Sequence, residues 1–138
     1  MSTAPILAID GLTKRFGGLV AVDRLTFVVN PGEIVGLLGP NGSGKTTTMN
    51  LISGALKPTA GSIALAGHEI AGLAPYRIAR LGIARTFQLV RVLGSMSCLE
   101  NVKAGLAFGR ERHWGQGAGA RAQQLLARVG MSHAANLP

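Results

Sequence analysis

The octapeptide Gly39-Pro40-Asn41-Gly42-Ser43-Gly44-Lys45-Thr46 constrains this chain more than any other stretch. It fits G-x-x-x-x-G-K-[ST], the phosphate-binding loop or Walker A pattern. Its flanks supply the context that the pattern requires. Ile34-Val35-Gly36-Leu37-Leu38 is almost wholly apolar, which predicts a parallel strand covered on both faces. Beyond the loop, Thr48, Leu51, Ile52 and Ala55 fall at i, i+3, i+4 and i+7, the stripe of a helix with one buried face.

The chemistry explains the residue types. Glycines let the backbone curl tightly and approach a ligand with no β-carbon in the way. Successive N–H groups then point into one concavity, and the following helix adds the positive end of its dipole. In such a loop Lys45 reaches the β- and γ-phosphates as a point charge, and Thr46 offers its hydroxyl to Mg²⁺. The competing reading is a glycine-rich turn that matches by coincidence, and both flanks argue against it.

The 138 residues suit one ordinary domain. A mean hydropathy of +0.32 allows a real core. With 20 glycines and only 4% aromatics, the composition fits an α/β protein with tight turns better than an aromatic-rich binding module. The formal charge of +8 raises nucleic acid or an anionic membrane surface as partners. However, Lys14-Arg15 is the longest basic run and no aromatics interleave with it, so a solvated basic surface is preferred and no nucleic acid is expected. A single cysteine, Cys98, excludes an intramolecular disulfide and suits a reduced compartment, with Cys98 itself a small apolar filler. Met1–Asp10 lacks the pattern of a signal peptide, and no apolar run approaches the ~18 residues of a membrane span.

The acidic residues are Asp10, Asp23, Glu33, Glu69, Glu100 and Glu111. A P-loop ATPase needs a Walker B carboxylate for Mg²⁺ on a strand downstream of the loop. No apolar run ending in Asp follows Lys45. Ile6-Leu7-Ala8-Ile9-Asp10 resembles one but lies upstream, and reads as an ordinary strand entering a turn at Asp10-Gly11.

In order, residues 5–10 read as a first strand, Gly17-Gly18 as a turn, and Leu25–Val29 as a half-buried strand. Phe16 has two readings, a platform for an adenine ring or a core phenylalanine, and position alone favours the core. Lys57-Pro58-Thr59-Ala60-Gly61 is a turn and Ser62–Leu65 a short strand. Pro75 opens a helix that Gly82 ends. Ile83–Phe87 reads as another strand, with Gln88 directly after it. Ser97-Cys98-Leu99-Glu100 is a capping box opening a helix to about Gly109. Residues 109–119 form a polar, glycine-rich loop with Trp114 on its surface. Ala122, Leu125, Leu126 and Val129 mark a last helix, capped by Gly130, and no structure is expected at Leu137-Pro138.

Taken together these pieces resemble the ATP-binding subunits of ABC transporters. The resemblance rests on Lys14-Arg15-Phe16-Gly17-Gly18, the Walker A loop, Lys57-Pro58-Thr59-Ala60-Gly61, Thr86-Phe87-Gln88 and Leu99-Glu100-Asn101-Val102, and covers residues 5–138. Arg85-Thr86-Phe87-Gln88 with Ser95-Met96 and Leu99–Val102 is most similar to the subunits serving branched-chain amino-acid importers. The resemblance implies an α/β fold: a P-loop NTPase core with an N-terminal antiparallel β subdomain and the start of an α-helical subdomain. Residues 1–88 would hold the core and 89–138 the start of the helical part.

For the site, the resemblance implies ATP and Mg²⁺ as cofactors. Phe16 becomes the aromatic that stacks on adenine, and Gly39, Pro40, Asn41, Gly42, Ser43, Gly44, Lys45, Thr46 and Thr47 become the nucleotide contacts. Gln88 becomes the Q-loop glutamine, which positions water and, with Thr46, Mg²⁺. Partners implied are transmembrane permease subunits and a second ATP-binding subunit, on the cytoplasmic face of the inner membrane as a peripheral protein. The family continues with an L-S-G-G-Q signature, Walker B, a catalytic Glu and a switch His, none of which occurs in these 138 residues. The expected protein is therefore the N-terminal part of an importer ATPase, with a catalytically inactive nucleotide-binding fragment as the alternative. A third reading, a small-molecule kinase, is opposed by Phe16 and Gln88.

Overall fold

The computed structural model describes residues 4–87, 92–108 and 115–137. Two compact units emerge, Met1–Ala84 and Arg85–Pro138. The boundary expected between residues 88 and 89 lies outside the described residues.

The first unit is built on a four-stranded antiparallel sheet of order β2-β1-β3-β4, with β1 Leu7–Phe16, β2 Leu19–Val29, β3 Ala60–Leu65 and β4 His68–Glu69. Ile9 and Leu12 are both buried, yet strict alternation would send residues three apart to opposite faces. A bulge resolves the conflict. Ile9 pairs with Phe27 and Leu12 with Leu25, so β1 carries one residue more than β2 between those pairs. Gly11 takes φ +56, the left-handed conformation that glycine adopts freely. Its N–H donates to Thr26 Oγ1 at 2.9 Å. Asp10-Gly11 is thus a bulge inside one long strand and not the expected turn.

Helix α1, Lys45–Ile52, buries Thr48, Leu51 and Ile52. Leu51 packs in one core cluster with Ile9, Leu12, Val22, Ile63, Ile70 and Ile78. Ile78 comes from helix α2, Pro75–Leu81, which begins with proline at its first position and ends at Gly82 with φ +115. The six largest fully buried side chains of the protein all belong to this cluster, so the apolar drive that fixes the first unit is concentrated around β1, β3 and α1.

Two expected strands differ. Ile34–Leu38 and Ile83–Phe87 take no ladder partner among the described residues. Ile34 is 99% and Leu38 93% exposed, where a strand covered on both faces was expected. The physical reason is pairing: an extended segment becomes a strand only when a neighbour accepts and donates its backbone hydrogen bonds. Neither segment runs alongside any of the four strands.

The second unit holds α3, Cys98–Phe108, and α4, Gln116–Arg128, followed by a 3-10 turn at Ser132–Ala134. The capping box forms as read. Ser97 N donates to Glu100 Oε2 at 2.8 Å, and Glu100 N donates to Ser97 Oγ at 3.3 Å. Leu93 N donates to Asn101 Oδ1, while Asn101 Nδ2 donates to the carbonyls of Leu93, Met96 and Ser97, so one side chain holds the turn before α3. Helix α4 starts three residues inside the expected 109–119 loop. Ala118 and Ala122 are buried, and that packing outweighs the ~1 kcal/mol each that Gly117 and Gly119 cost a helix. The chain end is also structured, contrary to expectation. The carbonyls of Ala135 and Leu137 accept from Leu99 N at 2.9 Å and Cys98 N at 2.8 Å, supplying partners to donors that a helix start otherwise leaves orphaned. Trp114 lies outside the described residues.

Candidate functional site

A cleft of about 370 Å³ runs from the tip of the β1–β2 hairpin to the N-terminus of α1. The hairpin positions its apolar end. Gly17 takes φ +56 in the turn, so Phe16 and Leu19 pair directly across it. Phe16, Leu19 and Val20 are 46%, 67% and 40% exposed, an apolar platform standing in solvent beside the loop.

The other end is backbone and one cation. Gly44 has φ +87, and a β-carbon there would collide with the carbonyl oxygen of Ala21 in β2. The loop therefore lies directly on the sheet edge, closer than any residue with a side chain permits. The first intrahelical bond of α1 is Thr48 N to Gly44 O at 2.8 Å. The N–H groups of Lys45, Thr46 and Thr47 precede it, so they belong to the orphan donors of a helix start. Lys45 Nζ donates to the carbonyls of Gly39 at 2.6 Å and Pro40 at 2.7 Å, which folds the loop around its own ammonium.

The cleft brings together Phe16, Asn41, Gly42, Gly44, Lys45, Thr46 and Thr47 of the expected site residues. Gly39 and Pro40 do not line it and meet it through Lys45. Ser43 faces a second cavity of about 280 Å³ with Val22, Leu25, Leu37 and Leu38. Gln88 lies outside the described residues. Sequence reading missed Leu19, Val20 and Ala21. The signal was available in Gly17-Gly18, because a two-residue hairpin turn places the residue after it opposite the residue before it.

Lys45 is the charged group among the described lining residues, so the loop end attracts anions. The hairpin end offers the face of Phe16 to a flat apolar group. Among the described residues no cluster of three or more His, Cys, Asp or Glu could hold a metal ion. Glu69 and Glu100, two of the three acids after Lys45, are engaged elsewhere. Glu69 Oε1 accepts from Ile63 N at 3.1 Å and Ala71 N at 2.8 Å, and Glu100 closes the capping box.

The family model for ABC transporters matches residues 22–138. Over 98 residues the chain is 48% identical to the high-affinity branched-chain amino acid transport ATP-binding protein LivG of Escherichia coli, covering 71% of this chain and 38% of that protein. It is 49% identical to the corresponding BraF of Pseudomonas aeruginosa, with the same coverage. A ribose import ATP-binding protein of Rubrobacter xylanophilus is 37% identical over 128 residues, 92% of this chain and 26% of that protein. The chain thus spans about 38% of the length of the branched-chain relatives it matches. Among solved structures, the ADP conformation of an ATP-binding cassette of an ABC transporter superposes with TM-score 0.84 at 30% identity, over 98% of this chain and 57% of that one. A dimeric cassette in a post-hydrolysis state with ADP and phosphate gives 0.76 at 26% identity, over 94% and 60%.

Proposed function

The chain belongs to the ABC transporter family, and from that premise we propose that it forms the nucleotide-holding part of an ATP-driven import subunit for branched-chain amino acids. One observation carries the reading: a single cleft has an exposed aromatic platform at one end and a glycine loop on a helix N-terminus at the other. An adenine nucleotide has the matching polarity, a flat base and an anionic chain.

In this reading Phe16 stacks on the base, and Leu19 and Val20 border it. The N–H groups from Gly42 to Thr47 surround the phosphates, and Lys45 exchanges its carbonyl partners for β- and γ-phosphate oxygens. Thr46 and Gln88 would hold Mg²⁺, which when bound neutralises charge developing on the phosphates. The protein's own part is to hold the phosphate chain in one orientation. Hydrolysis would serve transport through permease subunits and a second ATP-binding subunit, at the cytoplasmic face of the inner membrane. No helix among the described residues is long and apolar enough to cross a membrane. The LivG and BraF relatives support the branched-chain assignment.

A second reading, nucleotide binding without turnover by these 138 residues alone, is favoured by the engagement of Glu69 and Glu100 in structural hydrogen bonds. A general base for water needs a carboxylate or imidazole within reach, and a glutamine amide cannot replace it. Calorimetric titration with Mg·ATP, alongside a phosphate-release assay, tests both. Absence of ATP binding would defeat the proposal, and sustained phosphate release would defeat the second reading.

A further inference from the structure

The cation–aromatic pair beneath the hairpin tip has no part in the site as described so far. Lys14 Nζ sits 5.0 Å from the centre of the Phe16 ring. Residues two apart on a strand share a face, so β1 itself stacks one side chain beside the other. The ammonium is held as well as placed: it donates to the carbonyl of Lys57 at 2.7 Å. Two further bonds tie the same edge of β1 to that turn, Arg15 N to Thr59 Oγ1 at 3.0 Å and Thr59 N to Thr13 O at 2.8 Å. Phe16 lines the cleft and Lys14 does not.

We propose that Lys14 is a positioning residue for adenine-nucleotide binding, its tethered ammonium fixing the Phe16 ring so that the opposite face is presented to the base. This rests on the nucleotide reading of the cleft. The physical case has two parts. An exposed phenylalanine at the end of a strand otherwise samples several rotamers, and ordering it on binding lowers affinity. A cation over one face is attracted to the ring quadrupole and so favours one rotamer. It also draws π density from the far face, which reduces the repulsion that a stacked purine meets there. The base platform is thereby braced from the Lys57–Thr59 turn.

The experiment is isothermal titration of the 138-residue chain with ATP, ADP and inorganic tripolyphosphate, comparing Lys14→Met, Lys14→Arg, Phe16→Ala and the double variant Lys14→Met/Phe16→Ala. Lys14→Met should weaken ATP and ADP by about two- to fivefold, the scale of an exposed cation–π contact, and leave tripolyphosphate unchanged. Lys14→Arg, which keeps a cation over the ring, should retain the parent affinity. Phe16→Ala should show a larger loss with the same selectivity, and the double variant should be no weaker than Phe16→Ala alone. Equal weakening of tripolyphosphate by Lys14→Met would make Lys14 a general anion attractor and overturn the proposal. Additive losses in the double variant, or an unchanged ATP affinity in Lys14→Met beside a base-selective loss in Phe16→Ala, would also overturn it while leaving the nucleotide reading intact. A Phe16→Ala variant that binds ATP as the parent does would sink both. Lys14→Gln, with the same expectation as Lys14→Met, replaces that variant if its unfolding midpoint falls.

Discussion

Gly44→Ala tests the contact on which the site geometry rests. Two terms add. The residue sits at φ +87, where a β-carbon strains against its own backbone by about 1–2 kcal/mol. The same β-carbon would also overlap the carbonyl oxygen of Ala21 and stand 3.3 Å from Val22 Cγ2. The obstacle is backbone in the middle of β2, so no side-chain rotation relieves it, and the loop must lift from the sheet. Gly42 provides the control. It has φ +84, and a β-carbon there meets nothing within 4 Å, so Gly42→Ala carries the backbone term alone. Gly42→Ala should lower stability by about 1–2 kcal/mol, and Gly44→Ala by roughly 1–3 kcal/mol more, as for overpacking. At about 2–8 °C per kcal/mol for domains near this size, the two melting curves separate clearly. Calorimetry should show the larger loss of ATP affinity in Gly44→Ala as well, because the lifted loop carries Lys45 and Thr46 with it. Equal melting shifts for the two variants would refute the argument that the loop is seated on β2.

Other expectations follow from the same geometry. Lys45→Ala should weaken ATP by about 1.5–3 kcal/mol, as for a lost charge-assisted contact, and unchanged affinity by calorimetry would undo the phosphate assignment. Leu51→Ala, at a fully buried core position, should destabilise the first unit by about 2–5 kcal/mol in urea melts, and a shift within error would mean that α1 does not anchor the sheet. Hydrogen bonds from the Ser97 backbone and hydroxyl hold the Glu100 carboxyl below its usual range. A depressed folded-state value means that its stabilisation is complete above the ordinary carboxylate range and fades as pH falls through the folded value. Acid titration of α3 helicity by circular dichroism should therefore show this loss, and Glu100→Gln should flatten it; an identical acid slope in the variant would refute the capping role. Gln88→Ala should leave ATP affinity in this chain within a few-fold, because an amide that positions water adds little to ground-state binding, and a tenfold loss would contradict that role.

What sequence made legible was local. The Walker A spacing, the proline start of α2 and the Ser97/Glu100 box each draw their signal from residues within one turn of one another. Their geometry is set by φ preferences and by short-range hydrogen bonds. The misreadings share the opposite property. Asp10-Gly11 has the composition of a turn and is a bulge because Ile9 and Leu12 must both reach the core, a demand set by Leu51 and Ile63 far along the chain. Gly117 and Gly119 argue against helix locally, and burial of Ala118 and Ala122 against α3 reverses the outcome. Leu19 and Val20 escaped notice because their place beside the loop depends on the hairpin's register and not on any motif.

Ile34–Leu38 shows how far the site depends on its flanks. An apolar run before a glycine loop reads as a strand, yet here it has no ladder and the cleft still has its form. The explanation lies in what anchors the loop. On its far side α1 sinks Thr48, Leu51 and Ile52 into the core. From below, Gly44 rests against Ala21 and Val22 of β2. At the opposite end the same strand, continuing back to Leu19, carries the aromatic platform through its pairing with Phe16. Both ends of the cleft are thus referenced to β2, and β2 is held along its length by β1. The distance between a base at Phe16 and phosphates at Lys45 is set by the short stretch from Leu19 to Val22. A change that shifts the β1–β2 register should therefore disturb base and phosphate recognition together, whereas a change in Ile34–Leu38 acts on the loop only through the carbonyls of Gly39 and Pro40.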